Sequence, residues 1–180
     1  MAIVFELWAE CATDAECEDL LKHFDGFTAD LVTGRSVSFR AGHAYSLGTA
    51  MSVWSPDLEE GAKGGGLKNV LETTEAGLRL YHHLKMGPPF RFARAGGEAG
   101  LVPMTDLSHY LAPMLPGECR LEIECVLDDA LYRQLGSPKF CYPFRDGYWW
   151  TRYSGERYLP LHSKDQPALN ELCLWLFPRW

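Results

Sequence analysis

Apolar and polar residues alternate from the start of the chain. In IVFELWAEC, Ile3, Phe5, Leu7, Ala9 and Cys11 share one face, and Glu6, Trp8 and Glu10 share the other. A period of two is the pattern of a strand with one buried side. Thr13 or Asp14 then caps a helix running to about Phe24, with Leu20, Leu21 and Phe24 as its apolar stripe. TADLVT, SVSFRA and AYSLGTAMSVW read as a meander of strands broken at Gly34 and Gly42.

DLEEGAKGGG, residues 57–66, reads as a polar loop. LKNVLETT is ambiguous between strand and helix. TEAGLRLYHHLKM is helical in period, with Thr73 or Thr74 as cap and Gly87-Pro88-Pro89 as stop. FRFARA alternates as a strand. Gly and Pro recur from Gly96 to Gly117 around a short TDLSHYL helix. CRLEIECVL alternates again, with Cys119, Leu121, Ile123 and Cys125 inward. DDALYRQL is a short helix. FCYPFR, YWWTRY and RYLPL form a three-stranded meander whose Asp146-Gly147 is a type I′ hairpin signal. A last helix begins at Ser163 or Asp165.

The expected fold is α+β, built from two ferredoxin-like βαββ-type units with mainly antiparallel sheets. The units are residues 1–97 and 118–180, packed against each other with sheets that either stack or merge, and joined by a Gly/Pro-rich connector over 98–117. A weak internal duplication supports this reading. Leu7, Glu10, Cys11 and Asp14 recur at Leu121, Glu124, Cys125 and Asp128, an offset of 114. Gly34, Gly42 and Tyr45 recur at Gly147, Gly155 and Tyr158, an offset of 113. The order β-α-β-β, continued by α-β in the first unit, is the ferredoxin-like order.

Charge narrows the function. The net charge is −7. Residues 1–97 carry 9 basic and 13 acidic side chains, and residues 98–180 carry 8 and 11. With no basic half or run, the phosphate-neutralising footprint of a nucleic-acid binder is missing. No apolar run approaches the ~18 residues of a membrane span. The N-terminus lacks the basic region of a signal peptide. A cytoplasmic protein, monomer or homodimer, is expected. Its six Cys lie in apolar patterns, which fits reduced, buried thiols.

Catalytic chemistry finds little support. There is no G-x-S-x-G, no ordered phosphate-binding loop and no C-x-x-C, and the sequence calls for no metal and no cofactor. Glu6 and Glu10, with Glu122 and Glu124 in the second half, form a carboxylate patch only if the halves bring them together. The densest feature is RDGYWWTRYSGERY, residues 145–158, with two Trp, three Tyr and three Arg. Tyr148, Trp150 and Arg152 share one side; Trp149, Thr151 and Tyr153 share the other. Trp, Tyr and Arg are the residue types enriched at binding hot spots. The expectation is therefore a non-catalytic binding protein that neutralises or regulates a protein partner through an aromatic–Arg sheet face. The binding residues would be Trp149, Arg152, Tyr153 and Tyr158, with His82 and Arg91. The alternative is a small-molecule-binding protein or enzyme with a pocket between the two α+β units.

Overall fold

The computed structural model describes residues 5–44, 49–58, 67–97, 99–101 and 124–151, together with 153, 155, 171 and 175. In chain order the elements are β1 (Phe5–Glu10), α1 (Asp14–Phe24), β2 (Thr28–Asp30), β3 (Ser36–Ser38), β4 (Arg40–His43), β5 (Ala50–Trp54), α2 (Leu67–Lys85), β6 (Phe92–Gly97), β7 (Val126–Asp128), α3 (Asp129–Gln134), β8 (Tyr142–Arg145) and β9 (Tyr148–Trp150). Single 3-10 turns lie at Pro56–Leu58 and Ala99–Leu101. The fold is mixed α+β.

Seven strands form one antiparallel sheet in the order β4-β5-β1-β6-β7-β9-β8, and β2 and β3 form a small hairpin of their own. The expected units therefore contribute to one continuous sheet. They meet edge to edge where β6 pairs with β7, Phe92 opposite Leu127 and Ala93 opposite Val126.

Each face of this sheet has its own core. Leu7, Ala9, Met51, Val53, Ala93, Ala95, Val126 and Trp150 point to one face and pack under α1 and α2. Phe92, Cys125 and Leu127 point to the other and pack under α3 with Leu131 and Trp149. The side on which each helix lies follows from handedness. β1 and β4 are parallel, as are β7 and β8, because each pair flanks one antiparallel strand. The two crossovers start from parallel strands but move in opposite directions across the sheet. Right-handed connections must then place α1 and α3 on opposite faces.

Two-sided cover corrects the expectation of simple alternation in the central strands. Phe92 and Ala93 are both fully buried, as are Val126 and Leu127. Neighbours of opposite orientation each meet a core.

Local chemistry explains the helices. Thr13 caps α1, its hydroxyl accepting from Glu16 N–H at 3.2 Å. The Glu16 carboxylate reaches back to the Ala12 N–H at 2.9 Å, giving a reciprocal cap. Asp128 caps α3 through Leu131 N–H at 2.6 Å. Helix α2 begins at Leu67, so LKNVLETT is helical. Thr73 and Thr74 are buried in the interior of α2 and are not caps. Leu78, Leu80, Tyr81 and Leu84 face the core, which is where the helical period put them.

The glycines correct two further expectations. Gly42 does not break a strand; it lies within β4, where a Cβ would come 3.2 Å from the Trp54 ring. Gly34 turns the separate β2–β3 hairpin at a φ of 81°. Gly147 turns the β8–β9 hairpin in the main sheet at 77°. The 113-residue offset therefore equates turns of different sheets. The 59–66 loop, the TDLSHYL helix, the strand portion 119–123, the third strand of the last meander and most of the last helix lie outside the described residues, as does most of the connector.

Candidate functional site

The side chains of Arg145, Tyr148, Trp150 and Tyr153 are engaged in packing and hydrogen bonds within the fold. Trp150 is 4% exposed and meets the rings of Tyr81 and Phe144 at 5.7 and 5.3 Å. Tyr148 hydrogen-bonds both backbone groups of Phe90, accepting from N–H at 3.0 Å and donating to C=O at 2.9 Å. Arg145 lies 4.2 Å from the Tyr148 ring centroid. Its guanidinium donates to the carbonyls of Lys85, Gly87 and Pro88. A cation on these carbonyls satisfies the end of α2 and complements its dipole.

The expected binding residues are dispersed. Trp149 is half-buried under α3, stacked on Tyr132 at 4.3 Å, with its indole N–H on Asp129 at 3.2 Å. Tyr153 is 2% exposed on the α2 side, against Tyr81 and so close to Gly77 that a Cβ there would meet its ring at 2.7 Å. Strand β9 ends at Trp150, so alternation does not carry on to Tyr153. Arg91 is paired with Asp128 at 3.2 Å. His82 lies at the surface of α2, where partial desolvation of the ring pushes its imidazole below the ordinary value, with Lys85 and Arg79 adding to the effect. Arg152 and Tyr158 lie outside the described residues.

A second aromatic–Arg group lies on the sheet face opposite α1 and α2. Register brings it together: Glu6 opposes Trp54, and Trp8 opposes Ser52 on one side and Arg94 on the other. Cross-strand partners share a face, so Glu6, Trp8, Ser52, Trp54 and Arg94 form a contiguous surface, with Arg40 beyond Trp54. Glu6 accepts from the Ser52 hydroxyl and from Gly100 N–H at 2.9 Å. Gly100 lies under the Trp8 ring, where a Cβ would come within 2.6 Å. Glu10, only 4% exposed, accepts the Trp8 indole N–H at 3.0 Å. Arg94 differs from these groups: its Nε is buried and has no hydrogen-bond partner among the described residues.

The four-carboxylate patch is not assembled in the expected way. Strand β6 separates β1 from β7, so Glu6 and Glu10 do not lie on a strand that adjoins β7. Glu122 lies outside the described residues, and Glu124 is half-buried just before β7.

The alternation of Glu6, Trp8 and Glu10 was readable along β1. Ser52, Arg94 and Gly100 join them only through strand register, which carries no local signal. Among the described residues, no group of three His, Cys, Asp or Glu is arranged to hold a metal ion, and no helix is long and apolar enough to cross a membrane. Comparison with protein families, with curated proteins and with solved structures finds no match to this chain.

Proposed function

We propose that the protein is a non-catalytic binding protein that engages a protein partner through the Trp8–Trp54–Arg94 face of its sheet. This keeps the aromatic–Arg sheet face expected from sequence but moves it from β9 to β1, β5 and β6. The observation that carries the reading is the Nε of Arg94 beside Trp8, which is buried and has no hydrogen-bond partner among the described residues. A buried donor without an acceptor costs roughly 1–3 kcal/mol, and a partner's carbonyl or carboxylate would relieve that cost once the half-buried Arg94 side chain turns its guanidinium outward. Trp and Arg together are characteristic of binding hot spots. The net charge of −7 favours a basic partner through long-range steering.

The test is site-specific photo-crosslinking in cells. A photo-reactive residue replaces exposed Arg40 on this face or, for reference, exposed Asp19 on α1. A discrete adduct at position 40, reduced by Arg94→Ala and absent at position 19, is the expected result. Equal labelling at both positions, or none, counts against the site.

The finer architecture belongs to the same proposal. We infer two βαββ-type units related by a twofold axis along β6. The order β1-β5-β4 to one side of β6 is mirrored by β7-β9-β8 to the other. A rotation about the strand direction also exchanges faces, as the placement of α1 and α3 requires. The order β4-β5-β1-β6 supports a ferredoxin-like first unit. A fragment of residues 1–97 should then unfold cooperatively in urea; a broad, non-cooperative transition would oppose this reading.

A further inference from the structure

Cys17 lies in the first turns of α1, where its N–H makes a helical bond to the Thr13 carbonyl at 3.1 Å. Its Sγ is 3.8 Å from Nδ1 of His43, the last residue of β4. The other ring nitrogen, Nε2, is 2.9 Å from the Glu18 carboxylate. Helix α1 thus supplies a thiol and a carboxylate from adjacent positions, and β4 supplies the imidazole between them. An ionised carboxylate only accepts. In the neutral ring Nε2 therefore carries the proton, and the Nδ1 lone pair faces the thiol. A base beside a nucleophile and oriented by a third group is the arrangement that activates nucleophiles.

A second thiol is beside the first. Cys11, just after β1, is buried in the same core cluster as Cys17, and each affects the other's ionisation. Burial pushes the Cys11 thiol up to about 12, with Cys17 adding to the effect, and burial raises Cys17 as well. Both are therefore protonated thiols at rest, and neither is in a disulfide. Buried thiols of this kind react only if a base takes the proton. His43 is in place to do so: its side chain is 48% exposed, while Cys17 behind it is fully buried, so peroxide would reach the thiol from the His43 side.

We propose that Cys11 and Cys17 form a peroxide-oxidisable dithiol in which His43, held by Glu18, deprotonates Cys17. The Cys17 proton moves to Nδ1, and the thiolate attacks one oxygen of hydrogen peroxide. The O–O bond breaks, and the departing hydroxide takes the proton from His43 and leaves as water. Cys17 is now a sulfenic acid. Cys11 Sγ attacks Cys17 Sγ, the S–O bond breaks, and the hydroxyl leaves with the Cys11 proton as a second water. Two thiols have lost two electrons to form one disulfide, and peroxide has been reduced to two waters. Cys125 is the internal comparison: its Sγ accepts from the Thr151 hydroxyl at 3.9 Å, which is not a base at neutral pH.

The experiment uses the full chain, purified reduced and exposed to graded hydrogen peroxide, then alkylated and digested with trypsin. No Lys or Arg precedes Lys22, so both thiols lie on the peptide Met1–Lys22. That peptide should lose two hydrogens and resist alkylation at doses that leave Cys125 fully alkylated. His43→Gln should slow its oxidation on the order of 10²-fold, the typical contribution of a positioned base. Glu18→Gln, at a side chain 54% exposed, should slow it in the same direction and serves as the test if the His43 variant folds poorly. Full alkylation of Met1–Lys22 after peroxide overturns the proposal. So does cross-linking of that peptide to another one, or wild-type rates in both variants.

Discussion

Removing one oxygen atom tests how the two halves of the sheet are joined. Tyr81 of α2 is fully buried. Its hydroxyl accepts from the Ala95 N–H of β6 at 2.8 Å and donates to the Glu124 carbonyl, just ahead of β7, at 3.4 Å. The pairing of β6 with β7 covers only Phe92 and Ala93. Beyond it, the phenol bridges backbone groups at the position of the next ladder bonds. Tyr81→Phe keeps the ring, with its contacts to Trp150 at 5.7 Å and Phe144 at 6.4 Å, but leaves the Ala95 N–H without an acceptor. An orphaned buried donor costs about 1–3 kcal/mol. At about 2–4 °C per kcal/mol for a chain of this size, Tm should fall by roughly 2–12 °C. Urea melts should show the loss with an unchanged m-value. Native-state hydrogen exchange should show faster exchange at Ala95 than at neighbouring β6 amides. Burial also raises the Tyr81 phenol above its ordinary value, so its phenolate absorbance should emerge only on alkaline unfolding. A loss below about 0.5 kcal/mol, less than half a typical net hydrogen bond, with unchanged exchange at Ala95, would refute the bridging role.

The remaining predictions concern other parts of the fold. Trp150→Ala should cost about 3–5 kcal/mol, as for large buried aromatics. Trp149→Ala should cost about 2–4 kcal/mol from half the area of a Trp plus its stacking on Tyr132; an effect under about 0.5 kcal/mol in denaturant melts, typical of surface substitutions, would restore Trp149 as a free surface residue. His23 and His83 stack at 4.0 Å, and the Nε2 of each is within 3.0 Å of the other's backbone carbonyl, so each Nε2 carries a proton. Burial, with His23 and His82 adding to it, holds His83 below its ordinary value even though its bond to the His23 carbonyl pushes the other way. The folded state therefore prefers the neutral ring. Its contribution should be complete above about pH 6.5 and lost as pH falls toward the folded-state value. His83→Gln should flatten that part of the stability–pH curve, and an unchanged slope would oppose the assignment. Glu75, 2% exposed, accepts the Val32 N–H through both carboxylate oxygens and pairs with Arg79 at 3.0 Å. Glu75→Ala should cost about 2–4 kcal/mol by stranding those partners and should speed Val32 amide exchange, which can be read in the same melts and exchange spectra.

Much of the element plan was legible because it depends on near neighbours. The alternation of β1, the Thr13 cap, the stripe Leu78–Tyr81–Leu84 and the Asp146-Gly147 turn are set by residues a few positions apart. The first wrong readings came where distant cover overrode local pattern. Thr73 and Thr74 look like caps, but the helix is extended past them toward its N-terminus and they lie in its buried interior. Gly42 looks like a break, but its missing Cβ makes room for Trp54 across β4 and β5.

What the sequence by itself determined was the α+β class and the positions of most strands and helices, since both follow from short-range periodicity and capping. Tertiary structure alone decided that the strands merge into one sheet with a core on each face, because strand pairing is a long-range choice. It also decided which side chains meet. Trp149 and Tyr153 are drawn into packing by α3 and α2, Trp8 meets Arg94 through a strand register joining residues 86 positions apart, and Cys17 meets His43, 26 positions on, where α1 packs beside β4. Strand pairing and helix packing bring such groups together across long stretches of chain, so neither composition nor spacing along the chain foretold them.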